Sequence, residues 1–224
     1  MRKHKKRHFQ IQPIAIGQTM KKKNYNIALS LFTIYGFLIN AIQYLFLKDF
    51  FFNLNPIVFL IAYIVLGFGG IIVSNSSTSA IGAFIGYNML IAPLGGMLSC
   101  ALHSWFSVNP KIVFFAFIGT AIVTGIMLVF SFLNPDLFTK HGGFVFVVFL
   151  ATVVAELILY FIMGDVPQFF SYIIVAIMSF FVAYDFAAAN KAQYTMRNAI
   201  VFASNLWLDI LNIFTHFIDI FLDD

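Results

Sequence analysis

Asp185 and Asp209 are the residues of this chain best placed to do chemistry. Each sits inside an apolar stretch long enough to cross a bilayer, and 24 positions separate them on what read as consecutive membrane helices. A carboxylate near a bilayer centre costs on the order of 3 kcal/mol on insertion scales, so such residues face a bundle interior, a partner or water. The short link between the two helices makes them antiparallel neighbours and lets the two carboxyls meet at matching depth. Two carboxylates in a dry site resist being charged together, so they share a proton and titrate as a coupled pair. Deprotonated, they present hard oxygen ligands that suit Ca²⁺ better than a transition metal. Proton and cation then compete for one place.

The surroundings of the second aspartate extend this reading. At 100° per residue, Asn198, Asn205, Asp209, Asn212, His216 and Asp219 fall within roughly 80° of arc on the last span. A polar stripe of this kind cannot face hydrocarbon and must point into the bundle. There Asn205 and Asn212 either orient the acids or simply hydrogen-bond across helices. Glu156, flanked one turn either side by Thr152 and Tyr160, adds a further carboxylate if its face turns inward. His216 and Asp219 lie deeper along the last helix, as a vestibule, a proton relay or a structural pair.

Elements that position these groups follow from composition. Of 224 residues, 61% are hydrophobic and only 10% charged, with 30 phenylalanines and a mean hydropathy of +0.93. Soluble domains carry about 25% charged residues, so the chain is an integral membrane protein. Windows of about 20 apolar residues give seven spans: Tyr25 to Leu47, Pro56 to Val73, Ala80 to Leu102, Lys111 to Phe132, Gly143 to Met163, Gln168 to Ala189 and Asn198 to Leu222. Turn chemistry separates them at Lys48-Asp49, Ser74 to Ser79, Asn109-Pro110, Asn134-Pro135-Asp136, Gly164-Asp165 and Asn190 to Arg197. The expected fold is an all-α seven-helix membrane bundle, residues 25–224, preceded by a basic arm, residues 1–24. No connection is long enough for a soluble domain. Pro93, followed by Gly95-Gly96, predicts a kink or half-unwound segment in the third span, either a hinge or a static bend. Gly67, Gly69, Gly70 and Gly82-x-x-x-Gly86 allow close backbone approach.

The net charge of +4 is concentrated in Arg2, Lys3, Lys5, Lys6, Arg7 and Lys21 to Lys23. Together with Lys140, Lys191 and Arg197 these outnumber Lys48 and Lys111 on the other side, which places the N-terminus in the cytoplasm and the acidic Asp223-Asp224 outside. The arm is expected to touch anionic lipid headgroups rather than nucleic acid. No small-residue cleavage site follows the arm, so the first span stays as a helix. Cys100, the single cysteine, excludes an internal disulfide and packs as a small apolar residue. The absence of organelle signals and the Phe, Ile and Asn-rich usage fit a bacterial plasma membrane.

Tyr184-Asp185 at the end of a sixth helix, a short polar link, and Leu206-Trp207-Leu208-Asp209-Ile210-Leu211-Asn212-Ile213-Phe214 in the seventh resemble the carboxy-terminal signature of the transmembrane Bax inhibitor motif family, also called the Bax inhibitor one family. The resemblance implies seven helices with the last at the bundle centre. It also implies a pH-sensitive calcium leak gated by the di-aspartyl pair Asp185 and Asp209, with no enzymatic activity and no cofactor beyond the ion itself. Spans six and seven carry the specific residues. One departure concerns the junction of spans two and three, where the family often has basic residues, one of which can pair with an aspartate in a closed state. Here that junction is Ser74-Asn75-Ser76-Ser77-Thr78-Ser79, with no charge.

Two other classes compete with a cation pathway. An intramembrane aspartyl protease also takes its acid and base from a Tyr-Asp on one helix and an Asp on the next. Asp209, however, lacks a Gly-x-Gly-Asp context, and Ala92-Pro93-Leu94 is not Pro-Ala-Leu. A non-conducting stress-regulatory or interaction protein would use the buried acids only to lock the bundle.

Overall fold

The computed structural model describes residues 18–164 and 166–222, without the side chains of 105–108. The basic residues Arg2, Lys3, Lys5, Lys6 and Arg7, together with Asp165, Asp223 and Asp224, lie outside the described residues. Helix α1 (Lys22–Ile42) continues through a π-helical turn (Gln43–Leu47) into α2 (Lys48–Phe52). After it come α3 (Pro56–Ser76), α4 (Ala80–Val108), α5 (Pro110–Leu133), α6 (Pro135–Met163), α7 (Phe169–Lys191) and α8 (Met196–Leu222). Seven of these helical stretches, the first being α1 and α2 together, are long and apolar enough to cross a membrane. The protein is a multi-pass, all-helical membrane protein. No strand occurs among the described residues, which hold one isolated antiparallel bridge, Thr19 to Thr195.

Local chemistry sets the helix ends. Proline occupies the first position of α3, α5 and α6, where the missing N–H costs nothing and φ is already helical. Asn55 caps α3 by accepting from the Ile57 and Val58 amides at 3.0 and 3.3 Å, and Asn109 caps α5 by accepting from Lys111 N at 3.1 Å. Gly164 closes α6 at φ +76°, a left-handed conformation that a side chain would resist.

Several features differ from the sequence expectation. Lys48-Asp49 is not a turn: the helix runs to Phe52 and the chain reverses at Asn53–Asn55. A charged side chain at a helix end stays in the helix by reaching along it, and the Lys48 ammonium lies over the Tyr44 ring, 5.5 Å from its centroid. Helix α6 begins at Pro135 rather than Gly143, because its first turns are polar and no apolar window marks them. Finally, α4 passes through Pro93 as one continuous helix with no unwound segment. The Gln43 and Asn40 side chains of the first span fill the space beside Gly95, and Gln43 Nε2 donates to the Ala92 carbonyl at 3.0 Å.

Burial is uneven in a way that a bilayer explains. Helices α4, α7 and α8 are substantially buried, whereas α6 presents almost all of its most apolar window outward. Helix α8 packs against α7, α1, α5 and α4. Helices α3 and α4 approach closely: a Cβ on Gly70 would lie 2.7 Å from the Gly86 carbonyl oxygen, and one on Gly86 2.7 Å from that of Gly70.

Candidate functional site

Asp185, six residues before the end of α7, and Asp209, midway along α8, are both buried. The two acids lie close enough to interact directly, and Asn205 stands beside Asp185. Asn205 and Asp209 are four residues apart and therefore share one face of α8. The second oxygen of Asp209, Oδ2, is buried with no hydrogen-bond partner. Among the described residues no lysine, arginine or histidine forms an ion pair with either acid. The arrangement is a buried two-carboxylate cluster with one amide beside it.

Neighbouring helices hold Asp185 in place. Ser131 of α5 donates to the Ala183 carbonyl at 2.6 Å, two residues before the acid. The Tyr184 ring packs on α6 at Gly142, where a Cβ would stand 2.5 Å from ring carbon Cδ2. In the same contact with α6, Ala183 and Ala187 are buried with Phe138. The α7–α8 link is also tied down, since Met20 N donates to the Tyr194 carbonyl at 2.7 Å.

The remaining stripe residues divide between two places. Asn198 is fully buried, Asn205, Asn212 and His216 are half-buried, and the Asp219 side chain at the far end of the stripe is 48% exposed. Asn212 makes no side-chain hydrogen bond to either acid among the described residues; its carbonyl accepts from Thr215 at 3.0 Å. Glu156 does not join the acid pair. It lines a separate cavity of about 380 Å³ with Gln168, Ser171, His216 and Asp219, at the end of the bundle where α6 stops and α7 begins. There the His216 Nδ1 is 3.2 Å from Ser171 Oγ and 3.5 Å from Asp219 Oδ2. No group of three or more His, Cys, Asp or Glu side chains among the described residues converges tightly enough to hold a metal ion.

Against this geometry, a family model described as "Inhibitor of apoptosis-promoting Bax1" matches residues 18–224. The chain belongs to that family, Bax1-I. It is not a family of enzymes. No curated protein and no solved structure matches the chain significantly.

In this Bax1-I protein the uncharged junction between α3 and α4 nevertheless holds a cation, supplied by a distant part of the chain. Arg197, in the first turn of α8, donates from Nε to the Ser77 carbonyl at 3.0 Å and from Nη2 to the Asn75 carbonyl at 2.5 Å. Its Nη1 donates to Asn198 Oδ1 at 2.9 Å. Sequence reasoning had used Arg197 only as a topogenic charge. A polar node on the opposite side of α8 was also missed. Trp207 Nε1 donates to Asn40 Oδ1 at 3.0 Å, and Asn40 Nδ2 donates to Gln43 Oε1 at 3.1 Å. The available signal was the pair Asn40 and Gln43 themselves, three apart and alone among apolar residues. The π-helical turn that begins at Gln43 lies where that side chain turns toward α4, as such turns often do at working parts of membrane helices.

Proposed function

We propose that this Bax1-I protein is a pH-sensitive cation leak, with Ca²⁺ as cargo, in which Asp185 and Asp209 form the proton-sharing element. The observation that carries the reading is the buried carboxyl pair, in which Asp209 Oδ2 accepts from no amide or hydroxyl and neither acid is ion-paired among the described residues. A solely structural pair would be expected to have all its oxygens satisfied, because an orphaned buried acceptor costs about 1–3 kcal/mol. A group that exchanges a proton for a cation needs one oxygen open. With the shared proton in place the two helices are held together through the acids. When the proton leaves, the two negative charges repel unless a cation enters between them, and α7 and α8 separate or bind the ion.

Asn205 steadies Asp185, and the half-buried Asn212 lies farther along the same face as a second oxygen for an ion moving along α8. The cavity lined by Glu156, His216 and Asp219 serves as the vestibule at the far end of that path. With the N-terminus cytoplasmic this vestibule opens outside, which fits a plasma-membrane protein whose basic arm rests on anionic headgroups.

The test is flux. Protein reconstituted in liposomes loaded with a calcium dye should pass Ca²⁺ at a rate that depends on pH, and Asp185→Asn or Asp209→Asn should change both rate and pH dependence. Wild-type flux that neither variant alters removes the mechanism.

A further inference from the structure

A sizeable apolar space lies away from the acids. A cavity of about 620 Å³ sits between α1, α4, α5 and α8, lined among others by Phe37, Asn40, Leu98, Thr120, Gly125 and Leu211. Its size falls within the roughly 300–1,000 Å³ of small-molecule sites. Helices α1 and α5 form its two lips and make no substantial packing contact with each other. The lip residues Ala41, Phe117, Ala121 and Gly125 are exposed, and the surface on both sides is the apolar exterior of membrane helices, with Leu38, Ile42 and Ile122 all outward. The cavity is continuous with the face that meets the bilayer.

What fills it is decided by the walls. Water inside a protein needs two to four polar partners, and this wall offers few. The Asn40 carbonyl oxygen is taken by Trp207 and its amide reaches Gln43, while the Thr120 hydroxyl donates to the Ala116 carbonyl at 2.7 Å. Thr124 Oγ1 is buried without a partner, and a helical threonine satisfies itself by turning to the carbonyl one turn back, as Thr120 does. An empty space of this size would forfeit the dispersion contacts of its whole lining. The medium outside the lips is hydrocarbon.

We propose that this cavity binds one hydrocarbon chain of a membrane lipid, entering sideways from the bilayer between α1 and α5. The chain lies against Ile210, Leu211 and Phe214 of α8. These residues are 100–200° around the helix from Asp209, so the chain braces α8 from behind the carboxyl pair. Binding rests on the walls alone and does not depend on cation passage.

Trp207 reports on occupancy, being fully buried and hydrogen-bonded to the cavity-lining Asn40. With Trp105→Phe removing the other tryptophan, the protein is reconstituted in vesicles of phospholipid brominated midway along its chains, with unbrominated vesicles as reference. Trp207 emission should fall strongly in the brominated vesicles. Gly125→Phe should restore it, since Gly125 lines the cavity and a side chain there meets nothing within 4 Å at its first carbon. Ala121→Phe fills the same space from one turn earlier and serves if the first variant fails to fold. Repeating the measurement with brominated free fatty acid in unbrominated vesicles separates a phospholipid chain from a single-chain source. Absence of quenching, or equal quenching with the cavity filled and open, overturns the proposal. Cation flux is untouched by either result.

Discussion

Arg197 reaches from the first turn of α8 to the Ser77 carbonyl, 120 positions earlier, at 3.0 Å. With its second bond, to Asn75, it ties the start of the last helix to the end of α3, where unpaired carbonyls and the negative end of the helix dipole favour a cation. The basic group that the α3–α4 junction lacks in sequence is thus present in space.

Arg197→Gln should therefore lower stability. Hydrogen bonds to charged groups contribute about 1.5–3 kcal/mol, and loss of the guanidinium leaves the Asn75 and Ser77 carbonyls without these donors. Arg197→Lys keeps the charge but not the fork and should fall between the two. Thermal unfolding of detergent-purified protein gives the ranking; a glutamine variant as stable as wild type would show that the contact holds nothing together.

Ca²⁺ binding at the acid pair should weaken as pH falls. A proton bound between Asp185 and Asp209 occupies the oxygens that a cation needs, so each bound Ca²⁺ displaces protons and affinity rises with pH. Calorimetry of Ca²⁺ binding in two buffers of different ionisation enthalpy reads the proton release directly. In Asp209→Asn one site can no longer ionise, and the release should vanish.

Asn40 joins α1 to α8 through the Trp207 indole. Truncation to alanine leaves that N–H buried and unpaired, at a cost of about 1–3 kcal/mol. Trp207→Phe, which removes the indole donor, strands the Asn40 oxygen instead. If Asn40→Ala and wild type unfold at the same temperature, the node is not a fastening.

Glycines of similar sequence context should behave oppositely. Gly86→Ala would press a methyl onto the Ser74 backbone and the Gly70 carbonyl, and overpacking of this kind costs about 1–3 kcal/mol. Gly143→Ala meets nothing within 4 Å and gains helix propensity of up to about 1 kcal/mol. Thermal unfolding of the two variants should move in opposite directions.

Reading the chain went furthest where one physical demand acts alone. A bilayer asks for about 20 apolar residues per crossing, and seven such windows are visible whatever the helices later touch. The Asn-Pro starts of α3 and α5 are legible for the same reason, because proline and its preceding residue act within one turn. Asp185 and Asp209 stand out because ionisable groups in apolar runs are costly in any packing.

Partners were not legible, since a partner depends on which faces of distant helices meet. Sequence alone determined the membrane class, the number of crossings, the polar face of α8 and the two acids most in need of explanation. The tertiary structure decided that Glu156 joins His216 and Asp219 instead of the acid pair. It also decided that Asn40 and Gln43 serve Trp207 and α4, and that Arg197 closes α3. Hydropathy and helical period constrain each helix by itself, whereas rotation, depth and neighbour are settled only when all the helices bury their polar groups at once.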